Sequence, residues 1–190
     1  MSIDRKAQIL KAATQSFVQY GYKATTMEQV SRIANVGKGT IYTFFKTKEE
    51  LFEEILGKAA QELTTVMNRV AAENTSFIQK LLNLLDSILE FRSDHELFAK
   101  LAQEVRDIGT VQAMEGIVRL EVFALDFLQG QIDEAMANGE VKSCDSSVVA
   151  FMILQMYLAL TREWNKLHEP LDKSRIKEHM ILFISNGLLV

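Results

Sequence analysis

Apolar residues recur along this chain at spacings of three and four, which places them on one face of a helix. In the first segment Ile9, Leu10, Ala13 and Phe17 share a face, while Lys6, Lys11 and Gln15 occupy the others. The pattern predicts a helix from about Asp4 to Tyr20, opened by an acidic residue and stopped by Gly21. Thr25-Thr26-Met27-Glu28-Gln29 then holds two overlapping capping boxes, Thr25 with Glu28 and Thr26 with Gln29. Either can open a second, short helix that ends near Ala34. Asn35-Val36-Gly37 reads as a tight turn, because asparagine tolerates the left-handed backbone. A third helix is predicted over Lys38–Phe45. A further capping box, Thr47 with Glu50, opens a fourth helix through Leu51, Phe52, Ile55 and Leu56 towards Ala72.

Beyond residue 75 the predicted helices are longer: 76–91, 95–107, 110–137 closed by Asn138-Gly139, 146–167, and 174–189. Nine helices result, with no internal repeat and no low-complexity tract. Pro170 is the only proline in 190 residues. Long helices exclude proline, and strand-rich folds use it at turns, so the fold class is all-α. A small N-terminal unit over residues 1–47 and a larger helical body over 48–190 is the expected division.

Charge separates these parts. The chain carries a net −4, but residues 1–50 hold eight basic and four acidic side chains, a local +4. A basic quarter on an acidic body suggests that the N-terminal part meets a polyanion. Cys144 is the only cysteine, which excludes an intramolecular disulfide and a cysteine-based metal site. The first residues lack the features of a signal peptide, and the most apolar run, Val148–Leu160, is shorter than the ~20 residues of a membrane span. A cytoplasmic protein without membrane contact is expected.

Two short helices joined by a three-residue turn form a helix-turn-helix when the second can enter a DNA major groove. Thr25–Phe45 fits that description. Val30, Ile33, Val36 and Ile41 supply the seam between the helices. Gly39 and Thr40 keep the exposed face of the second helix slim, and Lys38, Thr40, Tyr42, Thr43 and Lys46 offer donors to phosphates and base edges. Phe45 follows the apolar seam and is read as core.

The stretch from Thr25 to Leu51 resembles the signature of the TetR family of transcriptional regulators, and Ala13, Phe17, Gly21 and Tyr22 match its first helix. Over residues 57–190 the resemblance rests on length, helix count and the turn Asn138-Gly139-Glu140. It implies that Thr26 holds a backbone phosphate, that Lys38, Gly39 and Thr43 lie closest to base edges, and that Thr40, Tyr42 and Lys48 bond phosphates. The chain departs from the family pattern at Asn35 (usually glycine), Gly37 (usually serine or threonine) and Phe44 (often tyrosine or histidine). The last two changes remove a capping hydroxyl and a phosphate contact.

In the body, the segments Val148–Leu160 and Met180–Leu189 are apolar around nearly their whole circumference, so they must be buried on all sides. A second copy of the chain is the simplest cover. The resemblance implies the same, a dimer made by the last two helices; Phe151, Leu154, Leu158, Met180, Ile184 and Leu188 are the candidate interface. The remaining Met- and Phe-rich faces suit a pocket for a small hydrophobic effector. Candidate polar anchors are Gln103, Arg106, Glu121, Gln155, Tyr157 and Trp164, each also readable as ordinary core or surface.

His95, His168 and His179 lack metal-ligand spacing, and neither a glycine-rich phosphate loop nor a GxSxG elbow occurs. No cofactor, metal or catalytic residue is expected, and the chain is not read as an enzyme. The leading reading is a ligand-responsive repressor released from double-stranded operator DNA. The alternatives are a TetR-like scaffold acting through protein contacts without operator binding, and a plain helical oligomerisation module.

Overall fold

A computed structural model describes residues 4–94, Glu104 and 111–190. Apart from Glu104, the predicted helix over 95–107 lies outside these residues, as do Gln103 and Arg106. Among the described residues the chain is helical: α1 (Arg5–Ala24), α2 (Met27–Ile33), α3 (Lys38–Phe44), α4 (Lys48–Ala71), α5 (Phe77–Asp94), α6 (Val111–Ala137), α7 (Ser146–Leu158) and α8 (Lys173–Leu188).

Caps explain most boundaries. Asp4 Oδ1 accepts from Ala7 N at 3.1 Å to open α1, and Thr26 Oγ1 accepts from Gln29 N at 3.2 Å to open α2. The box headed by Thr25 is not the one used. The Thr25 hydroxyl is buried, donating to Gly21 O at 2.9 Å and bonding Ser16 Oγ at 3.1 Å. Gly21 breaks α1 as expected, with φ 81°, but one more helical turn follows before Thr25. Thr47 Oγ1 accepts from Glu50 N to open α4, while Asp145 and Asp172 cap α7 and α8.

Packing divides the chain into two units. The first comprises the described residues among Met1–Leu63 and Arg92–Arg119, the second those among Thr64–Phe91 and Leu120–Val190. In the first, Ile9, Ala13, Phe17, Val30, Ile41, Leu51 and Phe52 are almost wholly buried. Phe17 meets Phe52 edge-on at 5.3 Å, and Tyr22 lies 4.7 Å from Phe52. Each such ring or aliphatic chain contributes about 1.5–3 kcal/mol on burial. The start of α6 joins this unit: Arg119 forks onto Glu53 at 2.9 and 3.0 Å, and Gly116 lets the backbone approach Leu56.

In the second unit Leu81, Leu84, Leu128, Ile132, Ala150, Ile153, Ile176, Met180 and Ile184 form the buried set. The chain end is tied down by an antiparallel bridge between Val141 and Leu189. The single helix predicted over 146–167 changes character part-way. After Leu158 it becomes a π-helical turn, Ala159–Glu163, and then a 3-10 turn, Trp164–Lys166. Here Thr161 Oγ1 donates to Tyr157 O at 2.7 Å and Asn165 Nδ2 to Thr161 O at 3.0 Å. No helix among the described residues is long and apolar enough to cross a membrane.

Candidate nucleic-acid interface

The turn between α2 and α3 is closed by Asn35 N donating to Arg32 O and Val36 N to Ser31 O, with Asn35 at φ 51°. Asparagine is among the few residues that adopt this backbone at low cost, so it serves where glycine is common. Val30 and Ile41 are fully buried, and Ile33 and Val36 pack beside them, which locks the two helices at one angle. Gly37 opens α3 with no side-chain cap.

That packing leaves a defined outer face on α3. Lys38, Gly39, Thr43 and Phe44 are exposed, Tyr42 is 37% exposed, and Thr40 is half-buried. Phe45 points inward, 4% exposed. The Thr43 hydroxyl donates to Thr40 O at 2.5 Å, so its proton is taken and it can offer a further partner only acceptor lone pairs. Lys46 Nζ donates to Tyr42 O at 2.8 Å. Gly39 has an ordinary helical backbone, and a Cβ built there meets nothing within 4 Å. Neither packing nor conformation inside the chain asks for glycine at 39.

Behind this face, a polar cluster holds the break between α1 and α2. The buried Glu104 carboxylate accepts from Tyr22 N at 2.6 Å and Lys23 N at 3.2 Å. Lys48 Nζ donates to Tyr22 O at 2.9 Å and lies 4.4 Å from the centre of the Tyr22 ring. The ring's hydroxyl donates to Glu49 Oε1 at 2.7 Å. Burial, then the bond to Glu49, push the Tyr22 phenol well above its ordinary pKa, and the same bond holds the Glu49 carboxyl below its own. The backbone just before Thr26 is thus gripped from both sides. Thr26 itself stays exposed at the start of α2. Lys48 is half-buried in this cluster, its ammonium turned to Tyr22.

Residues 9–55 match the family described as "Bacterial regulatory proteins, tetR family". Over 188 residues the chain is 45% identical to the HTH-type transcriptional regulator YhgD of Bacillus subtilis, covering 99% of this chain and 98% of that one. The chain belongs to the TetR family. Its fold agrees with that of solved TetR-type regulators. The SmeT–triclosan complex aligns with a TM-score of 0.82 at 18% identity, covering 98% of this chain and 92% of that one. The fatty acid degradation regulator FadR from Bacillus halodurans aligns at 0.74 and 20%, covering 98% and 97%. The protein is a DNA-binding transcriptional regulator, not an enzyme.

The open flank of Gly39 on the exposed face of α3 leaves room for a duplex to approach the backbone closely. Gly39→Ala is expected to stabilise the free protein by up to about 1 kcal/mol, since alanine is the better helix former. The same methyl is expected to weaken DNA binding about tenfold. Thermal melts and operator titrations of the one variant check both signs.

The body residues named from sequence do not all converge. Glu121 Oε1 lies 3.9 Å from Arg162 Nη1, and Tyr157 is buried. Trp164 is half-buried, donates to Glu169 O and stacks on His168 at 4.1 Å. Gln155 is exposed. Of the interface candidates, Phe151 is 52% exposed, and Leu154, Leu158 and Leu188 are half-buried. Met180 and Ile184 turn inward, 0% and 5% exposed, because α8 packs that face on its own chain. The outward apolar set is Val148, Phe151 and Met152 on α7 with Leu182 and Phe183 on α8. Sequence reasoning missed Glu104 and Arg162. Neither has a spacing signal, since their partners lie 81 or 82 and 41 positions away.

Proposed function

We propose that this chain is a ligand-responsive repressor: a cytoplasmic homodimer that binds a double-stranded operator through α3 and releases it when a small hydrophobic effector enters the body. Residues 1–47 read the DNA and residues 48–190 dimerise and bind the effector. The observation that carries the DNA reading is the outer face of α3, where Lys38, Tyr42 and Thr43 surround the vacant flank of Gly39. Thr43, with its proton given to Thr40, offers acceptors to an adenine or cytosine amino group and a methyl to thymine.

Recovering genomic fragments on the purified protein identifies the operator. Tyr42→Phe then weakens all sequences alike, by removing one phosphate donor. Thr43→Ala instead changes the preference at one base pair, by about 1–3 kcal/mol. Retention of no specific fragment would overturn the operator reading and leave a scaffold acting through protein contacts.

The outward apolar residues of α7 and α8 support the dimer, because a lone protomer rarely exposes contiguous side chains of this size. Relatives named for fatty acid degradation and for a triclosan complex support an apolar effector. Its binding alters the operator complex only through differential affinity for two states. α4 is one route for that coupling, since Lys48–Leu63 belongs to the first unit and Thr64–Ala71 to the second.

A further inference from the structure

The guanidinium of Arg162 sits in the π-helical turn that interrupts the helix begun by α7, its side chain only 19% exposed. Its Nε is buried and has no hydrogen-bond partner. Among the described residues the acid paired with it is Glu121 on α6, 3.9 Å from Nη1 and beyond hydrogen-bond reach. A buried cationic donor left without an acceptor is costly, and no hydrogen bond among the described residues offsets that cost at Nε. The local backbone is unusual as well. A π-turn displaces the side chains of one helical turn from the register of the rest, and such turns recur at functional sites. Along the chain Arg162 lies between the buried Tyr157 and the half-buried Trp164.

We infer that Arg162 is the anchor for an anionic group on the effector, so that the site takes an amphiphile with an apolar body and a carboxylate or phosphate head. This rests on the effector reading above and narrows its chemistry. Arginine presents two edges to an oxyanion, and Glu121 stands by Nη1, not by Nε. A carboxylate or phosphate oxygen at Nε supplies the missing acceptor. Glu121 is then a competitor for the same charge, and its own 35% exposure keeps it hydrated when the ligand arrives.

The test uses the full-length protein and three probes with one tail: dodecanoate, dodecyl phosphate and dodecanol. Binding is followed by calorimetry and by Trp164 fluorescence, and operator release is measured on the same samples. One or both anions bind at least tenfold more tightly than the alcohol, and whichever anion leads identifies the head group. Arg162→Leu removes that preference without weakening dodecanol, and Arg162→Lys restores part of it. Glu121→Gln raises anion affinity severalfold and leaves dodecanol unchanged, an effect that a merely structural ion pair would not give, and one that stands if Arg162→Leu fails to fold. Equal affinity for all three probes, no binding of any, or an anion preference that survives Arg162→Leu overturns the inference. Anion-selective binding that leaves operator affinity unchanged supports the anchor and overturns the repressor-release reading. Release by dodecanol as readily as by dodecanoate does the reverse.

Discussion

Phe183→Arg is expected to give a folded monomer that no longer binds its operator. Phe183 is 66% exposed on α8, so the substitution removes little from its own protomer. In the proposed dimer the same position is covered, and an arginine placed there has no partner. An uncompensated buried charge costs about 3–5 kcal/mol, and a two-fold interface meets it twice. Operator binding falls with the dimer, because two recognition helices held about 34–36 Å apart engage successive major grooves together. Phe151→Arg, on α7, is expected to act alike. Met180→Arg is the contrast: Met180 is fully buried in its own chain, so that variant unfolds and does not separate. Light scattering with operator titration distinguishes the cases, and a Phe183→Arg protein that stayed dimeric with native affinity would place the interface elsewhere.

That contrast shows what the sequence held and what it did not. The apolar circumference of Val148–Leu160 and Met180–Leu189 predicts burial on all sides, and in the single protomer Val148, Phe151, Met152, Leu182 and Phe183 stay exposed. Which residues face inward depends on how α8 is rotated against its own chain, and a helix apolar all round carries no amphipathic stripe to reveal that. Met180 and Ile184 were therefore as eligible as Phe183. The helix-turn-helix was far more legible, because its constraints are local. The Thr26 cap, the left-handed Asn35, the buried Val30 and Ile41, and the slim Gly39 each act within a few residues of chain. Even there, adjacent threonines offer two caps, and Thr25 is the buried one, its backbone N–H and its hydroxyl both donating to Gly21 O and its hydroxyl also meeting Ser16. The π-turn at Ala159–Glu163 spans the end of the apolar run at Leu160, and a change from an i→i+4 to an i→i+5 backbone bond leaves no mark in residue spacing.

The cluster around Gly21 yields the other large effect. Gly21 has φ 81° and ψ 168°, a region that side chains other than glycine occupy at a cost of about 1–3 kcal/mol. A Cβ built there also comes within 3.2 Å of Glu104 Oε2, the oxygen that accepts from Tyr22 N. Gly21→Ala therefore strains the backbone and pushes on the carboxylate that fixes it, for a loss of roughly 2 kcal/mol or more. A fall in melting temperature of about 4–8 °C follows for a chain of this size. DNA affinity falls as well, because the N–H groups of Tyr22 and Lys23 are held immediately before Thr26, where α2 begins. Glu104→Gln isolates the second contribution. The amide keeps one acceptor but turns an NH2 towards a backbone donor, losing a charge-assisted bond worth about 1.5–3 kcal/mol. The decisive measurement is the double-mutant cycle with Glu104→Ala. Once the carboxylate is gone, the alanine at 21 has only backbone strain to bear, so the two losses combine to less than their sum. Strict additivity would mean that the carboxylate does not grip the break, and that the strain at Gly21 is held by the packing of Phe17, Tyr22 and Phe52 alone.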